Sequence, residues 1–390
     1  MSQNGKSTIH VKKSRLLIYS IYSPDGVDTG YRYYFLSKVR RLFDKIIVVV
    51  NGDLVDNTKE KISNMSNEII IRENKGFDAC AYQYVLRDKL QYNLSDYEEL
   101  FLVNDTFYGP FFDLEKIFYK AEKNGADLWG MTFFQKGTDG NAPAEVQYSH
   151  IQSYFLCFTS HIFHSEVFKE FWNNVECYRD VKDVVKNYES ELTHYFEINM
   201  GARCWTYINS QNFPVFIDQN IYLTHSYDLL KDHNFPFLKK KSIITEYISN
   251  PKQVYDLFLN FERFNYPINL IYQEMEKENG LSLAGWLYDF RNLREIVLHS
   301  KRILLYGAGQ IGKTLGYYLK FKNIENYIYI VSDGQTIDQP GVIKFSNYIY
   351  LDGDFVIIAV MRRTVADLMY ESIITKVPKE NVLRPCCIKN

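Results

Sequence analysis

With 390 residues, 46% of them hydrophobic and 24% charged, the chain has a globular composition and exceeds one ordinary core, so two domains and a linker are expected. Lys plus Arg number 45 against 47 Asp plus Glu, a formal net charge of -2. That balance excludes a global field favouring nucleic acid and leaves any polyanion to a local patch.

Basic residues precede the first apolar run, Leu16 to Tyr22, but the run is short, contains tyrosine and closes on Pro24-Asp25. It reads as a strand and not as a signal peptide. No later run approaches the roughly 18 to 20 apolar residues of a membrane span, so a soluble or peripheral protein is expected. Helical spacing follows in "GYRYYFLSKVRRLF", then a nearly continuous apolar strand in "KIIVVVNGD", then a third strand in "NEIIIREN". The stretch "GFDACAYQYVLRDKL" reads as a helix opening just after a glycine, and "ELFLVND" as the next strand. Continuous Ile/Val-rich strands separated by helices predict an α/β fold with a parallel sheet covered on both faces.

Ligands of such sheets sit at the carboxyl ends of the strands. There the polar residues gather: Asp25, Asn51 with Asp53, Asn74 with Asp78, and Asn104 with Asp105. Each is also what a turn or helix cap requires, yet their coincidence at one edge defines a candidate site. A carboxylate closing a buried strand, with amides nearby and aromatic walls, suits a nucleoside diphosphate whose phosphates share a divalent cation (Mg or Mn) with the protein.

From Leu128 to about Leu238 the segments turn mixed and aromatic-rich, and from Lys239 to Ser300 amphipathic helices predict a connector. The expected domains are therefore 1–238, 239–300 and 301–390. The six cysteines show no CxxC pair and no His at zinc-ligand spacing, which predicts reduced thiols in a cytosolic protein.

At Lys301 a new unit starts with "KRILLYGAGQIGKTLGYYLK". Gly307, Gly309 and Gly312 fit G-x-G-x-x-G between a strand and a helix, and Asp333 closes the next strand where a ribose-binding acid is expected. The same stretch, Gly307 to Thr314, also satisfies the phosphate loop of nucleotide hydrolases, with Asp352 or Asp354 as its second acid. The chain remaining after Thr314 is short for a hydrolase core, so a small Rossmann-like nucleotide-binding domain is the favoured reading.

Taken together, "IIVVVNGD", "IIIRENKGFDACAYQYVL", "LFLVNDTFYGPF", "ADLWGMT", "HIQSYFLCF" and "NYESELTHYF" resemble the rhamnan synthesis F family of bacterial polysaccharide glycosyltransferases, over roughly Arg15 to Lys241. The wider resemblance is to the GT-A fold. It implies transfer of a deoxyhexose, rhamnose from its dTDP donor, onto a growing cell-surface glycan that is free or lipid-linked. By position it implies that Asn51 meets the nucleoside base, that Asn74, Gly76 and Asp78 meet ribose or phosphate, and that Asp105 is the metal ligand with Asn104 beside it. "VNDT" stands where the fold shows D-x-D, and His225 is a further possible ligand. Inversion needs a carboxylate to take the acceptor hydroxyl proton, a role that falls to Glu191 or else Glu189. Trp129, His150, Gln152 and Tyr154 are expected to line an acceptor groove. Lys239 to Lys241 offer a contact with an anionic membrane face, so the expected location is cytoplasmic and peripheral at the inner membrane face. Two alternatives remain: an NAD-dependent sugar-nucleotide oxidoreductase or epimerase working from Gly307, and a non-catalytic nucleotide-binding scaffold.

Overall fold

The computed structural model describes residues 13–136, 145–212, 220–243, 251–277, 300–321, 324–335, 341–360 and 363–384. The chain divides into two compact units, the first Met1–Ile221 with Phe235–Phe237 and the second Tyr222–Asn234 with Leu238–Asn390, each represented by its described residues.

In the first unit, β1 (Arg15–Ser23), β2 (Lys45–Gly52), β3 (Glu68–Arg72) and β4 (Glu99–Asn104) run parallel in the order β3-β2-β1-β4. The chain continues through β5 (Phe107–Tyr108), β6 (Leu128–Phe134), β7 (His150–Ile151), β8 (Phe155–Thr159) and β9 (Cys204–Ile208). Strand β8 lies antiparallel between β4 and β6, with β7 antiparallel and β9 parallel to β6. The result is an eight-stranded mixed sheet whose four leading strands all end at one edge.

The helices α1 (Tyr31–Val39), α2 (Asp56–Ser63), α3 (Phe77–Gln83), α4 (Glu115–Lys123), α5 (Ser160–Phe163), α6 (Glu166–Asn174), α7 (Val181–Val184) and α8 (Ser190–Met200) join these strands. Alternation along the buried strands separates two cores. Leu16, Ile18, Ile47, Val49, Leu100 and Leu102 pack with Tyr82 of α3, Phe168 and Trp172 of α6, and Leu192 and Phe196 of α8. On the other face Phe101 meets Phe43, Phe118 and Trp129 with ring centroids 5.0, 4.9 and 5.6 Å apart. Trp129 is only 1% exposed inside this aromatic cluster, so the acceptor-groove role expected for it is replaced by a core role.

Cys80 and Cys177 form a disulfide with Cα atoms 5.6 Å apart, where reduced thiols were expected. Cys157 and Cys204 are free thiols, and burial pushes the Cys157 thiol well above its ordinary range. Cys386 and Cys387 lie outside the described residues.

The second unit holds the short strand β10 (Leu238–Lys239), the helices Pro251–Leu259 and Asn269–Lys277, and a five-stranded parallel sheet. That sheet, of β11 (Arg302–Tyr306), β12 (Tyr327–Val331), β13 (Val342–Lys344), β14 (Asp354–Ile358) and β15 (Val382–Leu383), has the order β13-β12-β11-β14-β15. Its order reverses between β11 and β14, the switch point of a doubly wound fold. The predicted helix around "LAGWLYDFRNLREIVLHS" lies outside the described residues.

The lysine run is not a solvated basic patch. Lys239 is 7% exposed, with its ammonium 5.7 Å from the Tyr222 ring centroid. Lys240 reaches the buried Glu274 at 2.6 Å, and Lys241 alone is exposed. The membrane contact expected of these residues loses its basis. Among the described residues no helix is long and apolar enough to cross a membrane.

Candidate active site

The site is built on the carboxyl edge of β1 to β4. Asn51, near the end of β2, lies in register with Arg72, which ends β3, and with Tyr22 of β1. Its Nδ2 donates to Phe77 O at 3.2 Å and Ser20 Oγ at 3.4 Å, and its Oδ1 accepts a short hydrogen bond from Arg72. Phe77 follows Gly76, and both are left-handed, with φ of 54° and 76°. A side chain at Gly76 would run into Cys80 Sγ and Cys177 Cα, so glycine is required where the disulfide closes over the turn. This strained turn points Asp78 from the first turn of α3 toward the end of β4.

Asn104 and Asp105 fork at that strand end. Asn104 Nδ2 donates to Asp78 Oδ2 at 2.7 Å, while its Oδ1 accepts from Thr106 Oγ1 at 2.6 Å. Asp105 turns to α1: its Oδ2 accepts from Arg32 Nε at 2.8 Å, Tyr31 Oη at 3.1 Å and Tyr22 N at 3.3 Å. Arg32 also donates to Tyr22 O at 2.6 Å and stands 3.7 Å from Asp28. The carboxylate read as a metal ligand is thus an arginine-bound anchor. Among the described residues no three His, Cys, Asp or Glu side chains converge as a metal site, so a cation at this edge would take most of its ligands from the nucleotide phosphates and water. His225 bonds Thr224 at 2.9 Å as the residue preceding the helix Ser226–His233, in the second unit.

Glu189 ends a π-helical turn, Val185–Glu189, that leads into α8. Such turns reset the helical register and recur at functional sites. Its Oε1 accepts from Ser153 N at 3.1 Å and faces His150 Nε2 at 3.8 Å. Burial raises Asp78 above the usual carboxylate range, the Asn104 bond opposes this, and the negative charge of Glu189 adds to the rise. Tyr82 and Tyr188, both fully buried, are coupled to Asp78, and their hydroxyls have no hydrogen-bond partner among the described residues. Burial also raises Glu191, but its charged neighbour is His194, which stacks on Tyr148.

Of the acceptor residues, His150 stacks on Phe134 and bonds Tyr148 O at 2.8 Å. Gln152 accepts from Thr132 Oγ1 and donates to Asn220 Oδ1, each at 2.7 Å, and Thr132 also meets Tyr154 Oη at 2.9 Å. Asn74 is exposed and makes no side-chain hydrogen bond among the described residues. Asp25 and Asp53 bond the nearby amides of Val27 and Leu54 and act as turn residues. Sequence reasoning missed Arg32, Arg72 and Ser153. An arginine at the end of an Ile-rich strand was the one signal available.

In the second unit Gly307 has φ 121°, and a side chain there would strike Ala359 O. A side chain at Gly312 would occupy the position of Gly307 O, whereas one at Gly309 meets nothing within 4 Å. The outer glycines are packing requirements and the middle one is open. Asp333 accepts from Ser346 N at 2.8 Å, a bond that lowers its pKa. Asp354 begins β14, at the end of the strand away from the glycine loop, and is held by Arg302, Tyr348 and Leu351 N. Exposed Asp352 pairs with Lys301 at 3.3 Å. Neither acid lies at the loop, so the hydrolase alternative loses its second carboxylate.

A sheet of four parallel strands followed by a reversed one, with amides and carboxylates collected at the parallel edge, gives the first unit a GT-A-like α/β fold. The chain belongs to the rhamnan synthesis protein F family, whose profile matches residues 46–305. It is 23% identical over 186 residues to the uncharacterized protein y4gN of Sinorhizobium fredii, a match covering 47% of this chain and 46% of that one. The chain thus spans just under half the length of that curated relative. Among solved structures it is similar to core-mannan synthase A from Aspergillus fumigatus in its Mn/GDP form, with 9% identity, a TM-score of 0.27, and 51% of this chain and 72% of that one covered. For the mannosyltransferase Ktr4p of S. cerevisiae in complex with GDP the values are 9%, 0.29, 50% and 68%.

Proposed function

We propose that the first unit is an inverting glycosyltransferase that moves rhamnose from dTDP-rhamnose onto a cell-surface glycan acceptor. The observation that carries this reading is the convergence of Asn51, Asp78, Asn104 and Glu189 at one sheet edge. In a family named for rhamnan synthesis, that edge is where a sugar nucleotide would lie. Glu189 is the base: one carboxylate oxygen is held by Ser153 N, and the other takes no hydrogen bond from the described residues. It removes the acceptor hydroxyl proton as the acceptor oxygen bonds the anomeric carbon and the bond to the diphosphate breaks, releasing dTDP. His150 and Gln152 flank the acceptor side. We assign a second nucleotide to the other unit, at Gly307, Gly309 and Gly312 with Asp333, because its sheet order and open middle glycine support it. A disulfide is uncommon in the cytosol, so Cys80–Cys177 weighs against the cytoplasmic placement.

The test is release of dTDP from dTDP-rhamnose by the full chain, with envelope glycan from a rhamnan-producing bacterium as acceptor and UDP- and GDP-sugars as controls. Acceptor-dependent release that is lost in Glu189→Gln supports the reading. No release from any sugar nucleotide overturns it.

A further inference from the structure

The diphosphate of a sugar nucleotide needs a positive counter-charge, and the charges at this edge are unequally committed. Arg32 is spent: it lies between Asp105 and Asp28 and is almost fully buried. Arg72 is placed differently. It ends β3, is partly buried, and is fixed by two neutral acceptors, Asn51 Oδ1 and Lys75 O, the latter at 2.7 Å. Among the described residues no carboxylate lies within ion-pair distance of it. Two of its five N–H donors hold the side chain in place, and its full charge stays available beside the strained Gly76–Phe77 turn. Burial lowers the Arg72 pKa, and the weaker opposing pulls of Tyr84 and of the Glu73 carboxylate do not offset it.

Resting on the reading of this edge as the donor site, we propose that Arg72 meets the diphosphate of the nucleotide sugar, and that donor binding requires no divalent cation. Asn51 then positions Arg72 instead of contacting the base. The guanidinium fork matches two phosphate oxygens of the diphosphate, which a lysine at this place cannot reproduce.

The experiment is calorimetric titration of dTDP, and of UDP in parallel, into the full chain in EDTA and again in Mn2+, for the wild type, Arg72→Met and Arg72→Lys. The expected result is wild-type affinity equal in the two buffers within about 2-fold, a loss of about 10-fold or more in Arg72→Met, and an intermediate loss in Arg72→Lys. Should the methionine variant fail to fold, the lysine variant still reads the loss of the fork. The proposal is overturned if EDTA abolishes wild-type binding and Mn2+ restores it. It is equally overturned if both variants bind as tightly as the wild type. Either outcome leaves the donor site standing. A wild type that binds neither nucleotide in either buffer removes the donor-site reading itself, and the proposal with it.

Discussion

Asn104 donates its Nδ2 to Asp78 Oδ2 at 2.7 Å, tying the last residue of β4 to the first turn of α3. Burial raises the Asp78 pKa and Glu189 raises it further, so the folded state disfavours the ionised form that Asn104 partly rescues. A carboxyl whose folded pKa lies above its unfolded value contributes stability that is complete below about pH 3.9 and is lost as pH rises through the folded pKa. Asp78→Asn has one oxygen to accept from Asn104 and gives up the bond from Ala79 N at all pH values, so its melting temperature relative to the wild type is expected to rise between pH 4 and pH 7 as the wild-type carboxyl ionises. Thermal melts of both proteins across that range check this. A difference that does not change with pH contradicts it.

The Arg32–Asp105 pair predicts a folding defect where a metal ligand would have predicted a catalytic one. Their side chains are 3% and 9% exposed, and removing one partner of a buried pair costs about 3–5 kcal/mol. Asp105→Asn and Arg32→Met should each lower the urea-unfolding free energy by about that much. The double variant should lose less than the sum, because neither charge is left alone. Additive losses would mean that the pair is not coupled.

These two acids show what the sequence could and could not carry. Asn51, Asp78 and Asn104 were legible because a polar residue beside a continuous apolar run has few places to go except the sheet edge. The partner of Asp105 was not, since Arg32 lies 73 positions away and nothing in "VNDT" says which face its carboxylate takes. Trp129 was misplaced for a related reason: alternation assigns it to a face, but only the assembled sheet shows that α4 covers that face. Glu189 and Glu191 are indistinguishable in a helical pattern, and the π-helical turn that separates their directions has no sequence signature.

The disulfide was equally hidden, its cysteines being 97 positions apart. Closing so long a loop restricts the unfolded chain, and removing such a bridge typically costs about 2–4 kcal/mol. Cys177→Ser is expected to lower the urea-unfolding free energy by that amount, and dithiothreitol should lower the wild-type midpoint without moving that of the variant. A reductant-insensitive wild type would show that the bridge contributes nothing to stability.

In the second unit the two glycine positions should separate cleanly. Gly312→Ala puts a methyl group where Gly307 O stands, so the helix must move away from the loop, at about 1–3 kcal/mol or more. Gly309→Ala meets nothing and should stay within about 0.5 kcal/mol of the wild type. Paired urea titrations compare them, and equal stabilities would refute the packing.

The last prediction concerns which glutamate takes the proton. Glu191 is raised by burial and has only His194 as a charged neighbour, whereas Glu189 has one oxygen fixed by Ser153 N and shares the field of Asp78. Fixing one oxygen while leaving the other open suits a base, because the proton must arrive at a defined place. General-base catalysis contributes about 10²–10⁴-fold, so Glu189→Gln should lose kcat in that range while keeping its dTDP affinity. Glu191→Gln should stay within a few-fold of the wild type in both. If the kcat loss falls on Glu191 instead, the π-helical turn does not aim the base, and the assignment moves two residues on, into the first turn of α8.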